Sequence, residues 1–212
     1  ITAVKKGLNP KGLALFISGY CNLYKTKATD KELIRKKIEQ LSDELLSLTS
    51  QGYSGACWGY NFDWQSKAFF LPKSTPTIVA TTFAANALID AYEVFGKKEY
   101  LDAAFSSKDF ILKDLNRTAL DNGWFAFSYS PLDHTSVFNA SLLGARLLSR
   151  VYSYTKEEEL MIQSKKVIEY CVHFQNKDGS WHYGTLPFHQ WIDNFHTGFN
   201  LECIFEYSKF TG

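Results

Sequence analysis

A repeated pattern of helices and aromatic loops runs along the whole 212-residue chain. Each repeat consists of an apolar helix, a short turn, an amphipathic helix and an aromatic loop, and it spans roughly 55–65 residues. The pattern occurs about three and a half times, and such a period is typical of helical-repeat architectures. Because the apolar helices need cover on more than one side, the sequence predicts an all-α fold with inner apolar helices and outer amphipathic helices.

Helix starts are marked by capping residues. Pro10 lies at a first helical turn, and Thr75 before Pro76 reads as a cap followed by proline at the first helical position. Capping boxes, in which a threonine is followed three residues later by glutamate, begin at Thr29 and Thr155. We therefore predict helices over residues 10–25, 29–49, 76–95, 97–115, 133–154, 155–174 and 193 onward.

The composition excludes several classes of function. The 23 Lys and Arg residues almost balance the 22 Asp and Glu residues, so nothing indicates a nucleic acid or an anionic membrane as partner. Polar residues interrupt every long apolar stretch, which argues against a membrane span, and we expect no secretory leader within these residues. The four cysteines form no CxxC pair. We expect reduced, packed thiols and a cytoplasmic protein.

Aromatic residues make up 16% of the chain, and all five tryptophans lie in loops. Loop tryptophans either line a binding surface or fill the gaps between helices. We predict that Trp58, Trp64 and Trp191 stack on a substrate. Trp124 and Trp181 each follow a glycine-rich turn in the same way, which favours a structural role for these two.

Polar residues gather where the predicted inner helices begin. If these helices are parallel, their unpaired N–H groups face one opening, where an anionic group of a substrate would bind. Asp133 and His134 lie in the polar cluster that begins one such helix, and Asp193 and His196 lie in the cluster that begins another. Asp193 and His196 share a helix face, and a histidine near an acid can transfer a proton. The alternatives are that the acids only cap helices and that the imidazoles bond backbone carbonyls.

A third candidate acid lies in the first aromatic loop. Asp63 stands between aromatic residues, where desolvation would raise its pKa as a general acid requires, unless it faces solvent or caps a turn. Paired with Asp133 or Asp193, it would complete a two-carboxylate glycosidase site. Tyr60 and Tyr183 are candidate substrate-binding residues or lyase-type bases. We predict no cofactor, and a zinc site built from the histidines and carboxylates is not favoured.

Three asparagines recur inside the predicted inner helices, namely Asn86, Asn139 and Asn200. A buried asparagine needs hydrogen-bond partners. We predict that these amides bond from helix to helix.

The stretch Gln175–Trp181 matches the Q-x3-G-x-W core of the QW motif of terpenoid cyclases. In that motif the glutamine ties down a helix end and the tryptophan stacks on it. The whole chain resembles the α/α toroids, which include those cyclases, the prenyltransferases and the six-hairpin carbohydrate-active enzymes. The DxDD and DDxxD acid motifs and the D-x-C zinc pair of the isoprenoid branch are missing.

The carbohydrate branch fits better, because loop aromatics and carboxylates around a cavity are similar to those of six-hairpin glycosidases, uronate lyases and sugar epimerases. We expect one α/α-toroid domain over residues 1–212, partial because the chain stops within a repeat. Its expected function is an acid/base reaction on, or binding of, a small or oligomeric saccharide. An isoprenoid-handling toroid and a non-catalytic helical scaffold are the alternatives, and the oligomeric state stays open.

Overall fold

The computed structural model describes residues 6–27 and 30–212. The chain divides into two compact units. Unit 1 comprises Ile1–Gln65 and Phe70–Ser107, and unit 2 comprises Ser66–Phe69 and Lys108–Gly212.

Unit 1 is built around two apolar helices that pack together. These are α1, Pro10–Tyr24, and α3, Ile78–Phe95, and the amphipathic helix α2, Lys31–Ser47, packs against both. The aromatic loop between α2 and α3 contains a short antiparallel pair, β1, Trp64–Gln65, and β2, Phe70–Leu71. Gly96 in the left-handed region ends α3, and α4, Lys98–Asp109, follows.

Unit 2 again places an antiparallel strand pair before an apolar helix that is followed by an amphipathic one. A π-helical turn, Phe110–Asp114, continues from α4 into an antiparallel pair, β3, Arg117–Ala119, and β4, Phe125–Phe127. Helix α5, Phe138–Thr155, packs against α6, Glu158–His173, and α7, Asn194–Thr211. A 3₁₀ turn, Pro187–His189, lies in the loop between α6 and α7.

The predicted layering of inner apolar and outer amphipathic helices is confirmed. Helices α3 and α5 are buried over most of their length, whereas α2 and α6 bury single faces. Helices α1 and α7 instead leave large apolar side chains exposed, including Phe16, Phe195 and Phe205. Within the described ranges, α3 is the one helix long and apolar enough for a membrane span, but 61% of it is buried, as a core helix would be.

The helix starts correct several predictions. Pro10 is the first residue of α1 as predicted, capped by Asn9, and Asp193 caps α7. Thr29 lies outside the described residues, and Asp30 caps α2. Pro76 lies before the helix, because the Thr77 side chain accepts the Ala80 N–H and caps α3.

Two further predicted starts are wrong. Helix α5 begins at Phe138 instead of Asp133, because the Asp133 carboxylate accepts N–H groups of Tyr129, Ser130 and Thr135 and so holds residues 129–135 in a loop. Thr155 ends α5 instead of capping α6, whose N-cap residue Glu157 makes no side-chain cap.

Tryptophan indoles cap the ends of two outer helices. The Trp58 Nε1–H donates to the Leu45 carbonyl at the end of α2, and the Trp181 Nε1–H donates to the Cys171 carbonyl at the end of α6, both over 2.8 Å. Both indoles are buried. We call this contact the indole cap. The indole cap confirms the predicted structural role of Trp181. It also shows that the prediction of substrate stacking by Trp58 is wrong, because this indole is buried against a helix end.

The glutamine of the QW-like stretch acts differently from the motif it resembles. The Gln175 amide donates to the Gly179 carbonyl over 2.9 Å and so closes its own loop, while the indole cap of Trp181 holds the helix end. The four cysteines are buried thiols, as predicted.

Helix-to-helix hydrogen bonding of the three asparagines stays a prediction. Asn86 donates to the Thr82 carbonyl of its own helix. The buried side-chain oxygens of Asn139 and Asn200 have no hydrogen-bond partner among the described residues, so these two oxygens do not make the predicted bond.

Candidate functional site

The first turn of α7 holds an acid and an imidazole together. The Asp193 carboxylate accepts the His196 backbone N–H through Oδ1 and contacts the imidazole Nδ1 through Oδ2, each over 2.7 Å. The three-residue spacing brings the two side chains together because one helical turn has begun between them. Burial raises the pKa of Asp193, but the backbone and side-chain hydrogen bonds from His196 outweigh it and lower that pKa overall.

This contact fixes which nitrogen of His196 carries a proton. A carboxylate accepts hydrogen bonds, so Nδ1 is the protonated nitrogen, and the lone pair of the neutral ring lies on Nε2. His196 and Asp193 keep 26% and 34% of their side-chain surfaces exposed, so the pair remains reachable from solvent. An oriented imidazole with an accessible basic nitrogen can accept or donate a proton on a bound substrate.

Two predicted substrate-binding rings lie against this pair. The Tyr183 and Trp191 rings stack with centroids 4.4 Å apart and planes 13° apart. The His196 ring meets both at its edge, at 4.8 Å from Tyr183 and 5.3 Å from Trp191. The Trp191 indole is 44% exposed. We refer to Tyr183, Trp191, Asp193 and His196 as the α7 cluster.

A hydrogen-bonded loop, residues 183–191, presents the two rings. The Tyr183 N–H donates to the Trp191 carbonyl over 2.9 Å and closes the loop. The Gln190 amide spans the interior and donates to the carbonyls of Gly184, Thr185 and Leu186. Gly184 forms a bridge with Val137, just before α5, and a Cβ there would lie 2.5 Å from the Ser136 oxygen. The loop is therefore anchored next to the start of α5.

The Asp133 carboxylate lies at the centre of the loop formed by residues 129–135. This buried carboxylate accepts hydrogen bonds from the backbone N–H groups of Tyr129, Ser130 and Thr135 and from the hydroxyls of Ser130 and Thr135. With its oxygens occupied in this way, the carboxylate holds the chain before α5, and this arrangement favours a structural role over proton transfer. Its neighbour His134 is exposed and precedes α5 by four residues, so it does not correspond in position to His196.

The candidates in unit 1 form a separate aromatic group. Tyr60 stacks on Phe62 at 5.5 Å, and Trp64 meets Tyr60 edge-on at 5.4 Å. Asp63 is exposed, and its Oδ1 accepts the Lys73 N–H over 2.7 Å. The expected enclosure of Asp63 between rings is therefore wrong, because the carboxylate is exposed and bonds the backbone across the base of the β1–β2 pair.

His189 is a member of the site region that the sequence did not indicate. It is buried beneath the Tyr183 ring, with centroids 5.0 Å apart. Nothing in the local pattern of Phe188, His189 and Gln190 marks it, because its burial depends on how the loop folds back on itself. Within the described part of the chain, no group of three or more His, Cys, Asp or Glu side chains could hold a metal ion.

No family model matches this sequence, and a search of the curated proteins finds no match either. Solved structures match it closely in fold. Cellobiose 2-epimerase from Bacillus thermoamylovorans B4167 is 18% identical, with 98% of this chain and 54% of that chain covered and a TM-score of 0.66. A D-mannose isomerase is 17% identical, with 96% and 54% covered and a TM-score of 0.65.

A GH76 α-mannanase from Bacteroides thetaiotaomicron is 15% identical, with 99% of this chain and 55% of that chain covered and a TM-score of 0.64. These matches confirm the predicted α/α-toroid fold class. The chain spans about half the length of each of these structures.

Proposed function

We propose that this chain belongs to a carbohydrate-active α/α toroid and that the α7 cluster binds a saccharide and transfers a proton on it. The observation that carries the proposal is the Asp193–His196 pair beside the exposed Trp191 indole. An indole face binds the apolar face of a sugar ring, and the oriented imidazole lies at its edge. The enzymes of similar fold include an epimerase, an isomerase and a mannanase.

Proton transfer at a sugar carbon fits the cluster better than glycoside hydrolysis. Hydrolysis by the usual route needs two carboxyl groups flanking the scissile bond. In unit 2 the Asp133 carboxylate is fully engaged in its own loop, which leaves Asp193 paired with a histidine. An imidazole held by a carboxylate is suited to removing a proton beside a carbonyl and returning it, as epimerisation and isomerisation require.

The role of each residue follows from its contacts. Asp193 would keep Nδ1 of His196 protonated and stabilise the imidazolium that forms when Nε2 accepts a proton. Trp191 would stack on the sugar, and Tyr183, which contacts both Trp191 and His196, would hold the indole and the base in their relative positions. Tyr60 and Trp64 of unit 1 remain candidates for a further sugar-binding surface.

Hydrogen exchange into sugars tests this reaction. The protein is incubated in D₂O with aldoses, ketoses and β-linked disaccharides, and NMR measures deuterium entering the carbon next to the carbonyl. We expect exchange by the wild type and a loss of about 100-fold or more in His196→Ala. Trp124→Phe, which alters a loop ring of unit 2 outside the α7 cluster, is the matched control and should exchange normally. Equal exchange by His196→Ala and wild type would refute the proposal.

A further inference from the structure

His189 is enclosed beneath the loop that carries the aromatic pair. Only 7% of its surface is exposed, and its Nδ1 has no hydrogen-bond partner among the described residues. Its ring meets Tyr183 edge-on at 5.0 Å and Phe188 at 4.7 Å. A polar ring is therefore held between two aromatic rings without an acceptor or donor for that nitrogen.

The backbone fixes this ring in place. The His189 N–H donates to the Leu186 carbonyl over 2.8 Å, and the His189 carbonyl accepts the Gly184 N–H over 3.4 Å. A Cβ at Gly184 would lie 2.9 Å from Nδ1, so the ring lies directly against the backbone of that glycine. A buried acceptor without a partner is better tolerated than a buried donor. The geometry therefore fits a neutral ring with its lone pair on Nδ1.

Among residues 6–27 and 30–212, no charged group offsets the cost of protonating His189. The titratable side chains of the loop and its surroundings are His182, whose Nδ1 donates to the Gln190 carbonyl, Tyr183, and beyond Tyr183 the pair formed by Asp193 and His196. Among the described residues none of them contributes to the shift, and burial alone lowers the pKa of His189 below its ordinary 6.5. An added proton would place a charge against apolar rings and a glycine backbone.

We propose that neutral His189 is a positioning residue of the α7 cluster, and that protonating it opens loop 183–191 and separates Tyr183 from Trp191 and His196. In the open loop the imidazole is solvated and takes up a proton at its ordinary pKa. Because the closed loop binds fewer protons, its stability is complete above pH 6.5 and is lost as the pH falls below that value. This inference rests on the proposed function in one respect, namely that the loop belongs to a saccharide site. The opening of the loop does not depend on it.

Two measurements without any sugar test the opening. NMR of the histidine rings in wild type, with the His189 signal assigned by its loss in His189→Gln, gives the titration of this ring directly. We expect its midpoint to lie below 6.5. The tryptophan emission of the wild type should shift as the pH is lowered from about 7.5 to about 5. We expect no such shift in Trp191→Phe or in His189→Gln. A midpoint at or above 6.5, or an emission shift that persists in His189→Gln, would overturn the proposal.

A binding measurement links the opening to the site. For a saccharide that the wild type binds, the dissociation constant should rise as the pH falls below the ordinary histidine value, by up to about tenfold per pH unit. In His189→Gln the same constant should stay nearly level. If no saccharide binds at any pH, the proposed function fails while the NMR and emission results still decide the role of His189. A constant that rises equally in both proteins would contradict the positioning role.

Discussion

At the scale of single residues, Asp193 makes two contacts, and a suitable substitution can remove one of them while it keeps the other. One carboxylate oxygen caps α7 by accepting a backbone N–H, and the other holds the His196 imidazole. An asparagine can keep the cap, because an amide oxygen accepts the same N–H, but it lacks the charge that stabilises an imidazolium. The structural and chemical roles of this residue can therefore be measured apart.

We predict that Asp193→Asn keeps the stability of the wild type while it loses most proton exchange into sugars. Asp193→Ala should lose both, with the free energy of unfolding lowered by about 1 kcal/mol because the cap is gone. Urea denaturation followed by circular dichroism measures the first quantity, and deuterium incorporation measures the second. Full exchange activity in Asp193→Asn would show that the carboxylate charge plays no part.

At the scale of elements, the indole cap ties an outer helix to the aromatic loop that follows it, once in each unit. Trp58 and Trp181 reach the corresponding carbonyls of α2 and α6, two residues before each helix ends. Replacing the indole by an apolar ring would remove the 2.8 Å hydrogen bond and leave the carbonyl with its 3.2 Å bond from a backbone N–H. The aromatic loops therefore hold the outer helices as well as the candidate site.

We predict that Trp58→Phe and Trp181→Phe each lower the free energy of unfolding by about 0.5–1.5 kcal/mol, because each removes one buried hydrogen bond. The Leu45 and Cys171 carbonyls then keep the 3.2 Å hydrogen bonds that they accept from the Leu48 and Phe174 N–H groups. Trp191→Phe is the matched control. Its indole is half-exposed and makes a ring stack that phenylalanine preserves in part, so its stability should change little. Chemical denaturation of the three variants provides the comparison, and equal effects in all three would contradict the role of the indole cap.

At the scale of the whole molecule, both terminal apolar helices present uncovered side chains. Phe195, Leu201 and Phe205 on α7 and Leu15 and Phe16 on α1 are each more than half exposed. Exposed apolar patches of this kind are sites of association or aggregation. We therefore expect the 212-residue chain to associate as its concentration rises.

We predict that Phe205→Glu weakens this association, because a charge disfavours burial of the α7 surface in a contact. Ile162→Glu on α6 is the control, since its side chain is also exposed but lies on an amphipathic helix. Sedimentation velocity across a range of concentrations measures the effect. If both variants associate as the wild type does, the exposed face of α7 has no part in the contact.

The sequence predicted the order and type of the helices, because periodicity and composition are local properties. It placed the start of α5 five residues early, since Asp133 looks like a helix cap and only the fold shows that it organises a loop. It also could not separate Trp58 from Trp191. Both are loop tryptophans, and whether an indole reaches a buried helix carbonyl or stays exposed depends on packing between distant segments.

Gly59 and Gly184 occupy the places where each aromatic loop bridges to the segment before α3 or α5, and a Cβ would lie 2.2 Å and 2.5 Å from the facing carbonyl oxygens. No such obstacle exists at Gly19 or Gly198. A Cβ therefore has room at the second pair and none at the first. As lineages of this protein diverge, glycine should be retained at Gly59 and Gly184.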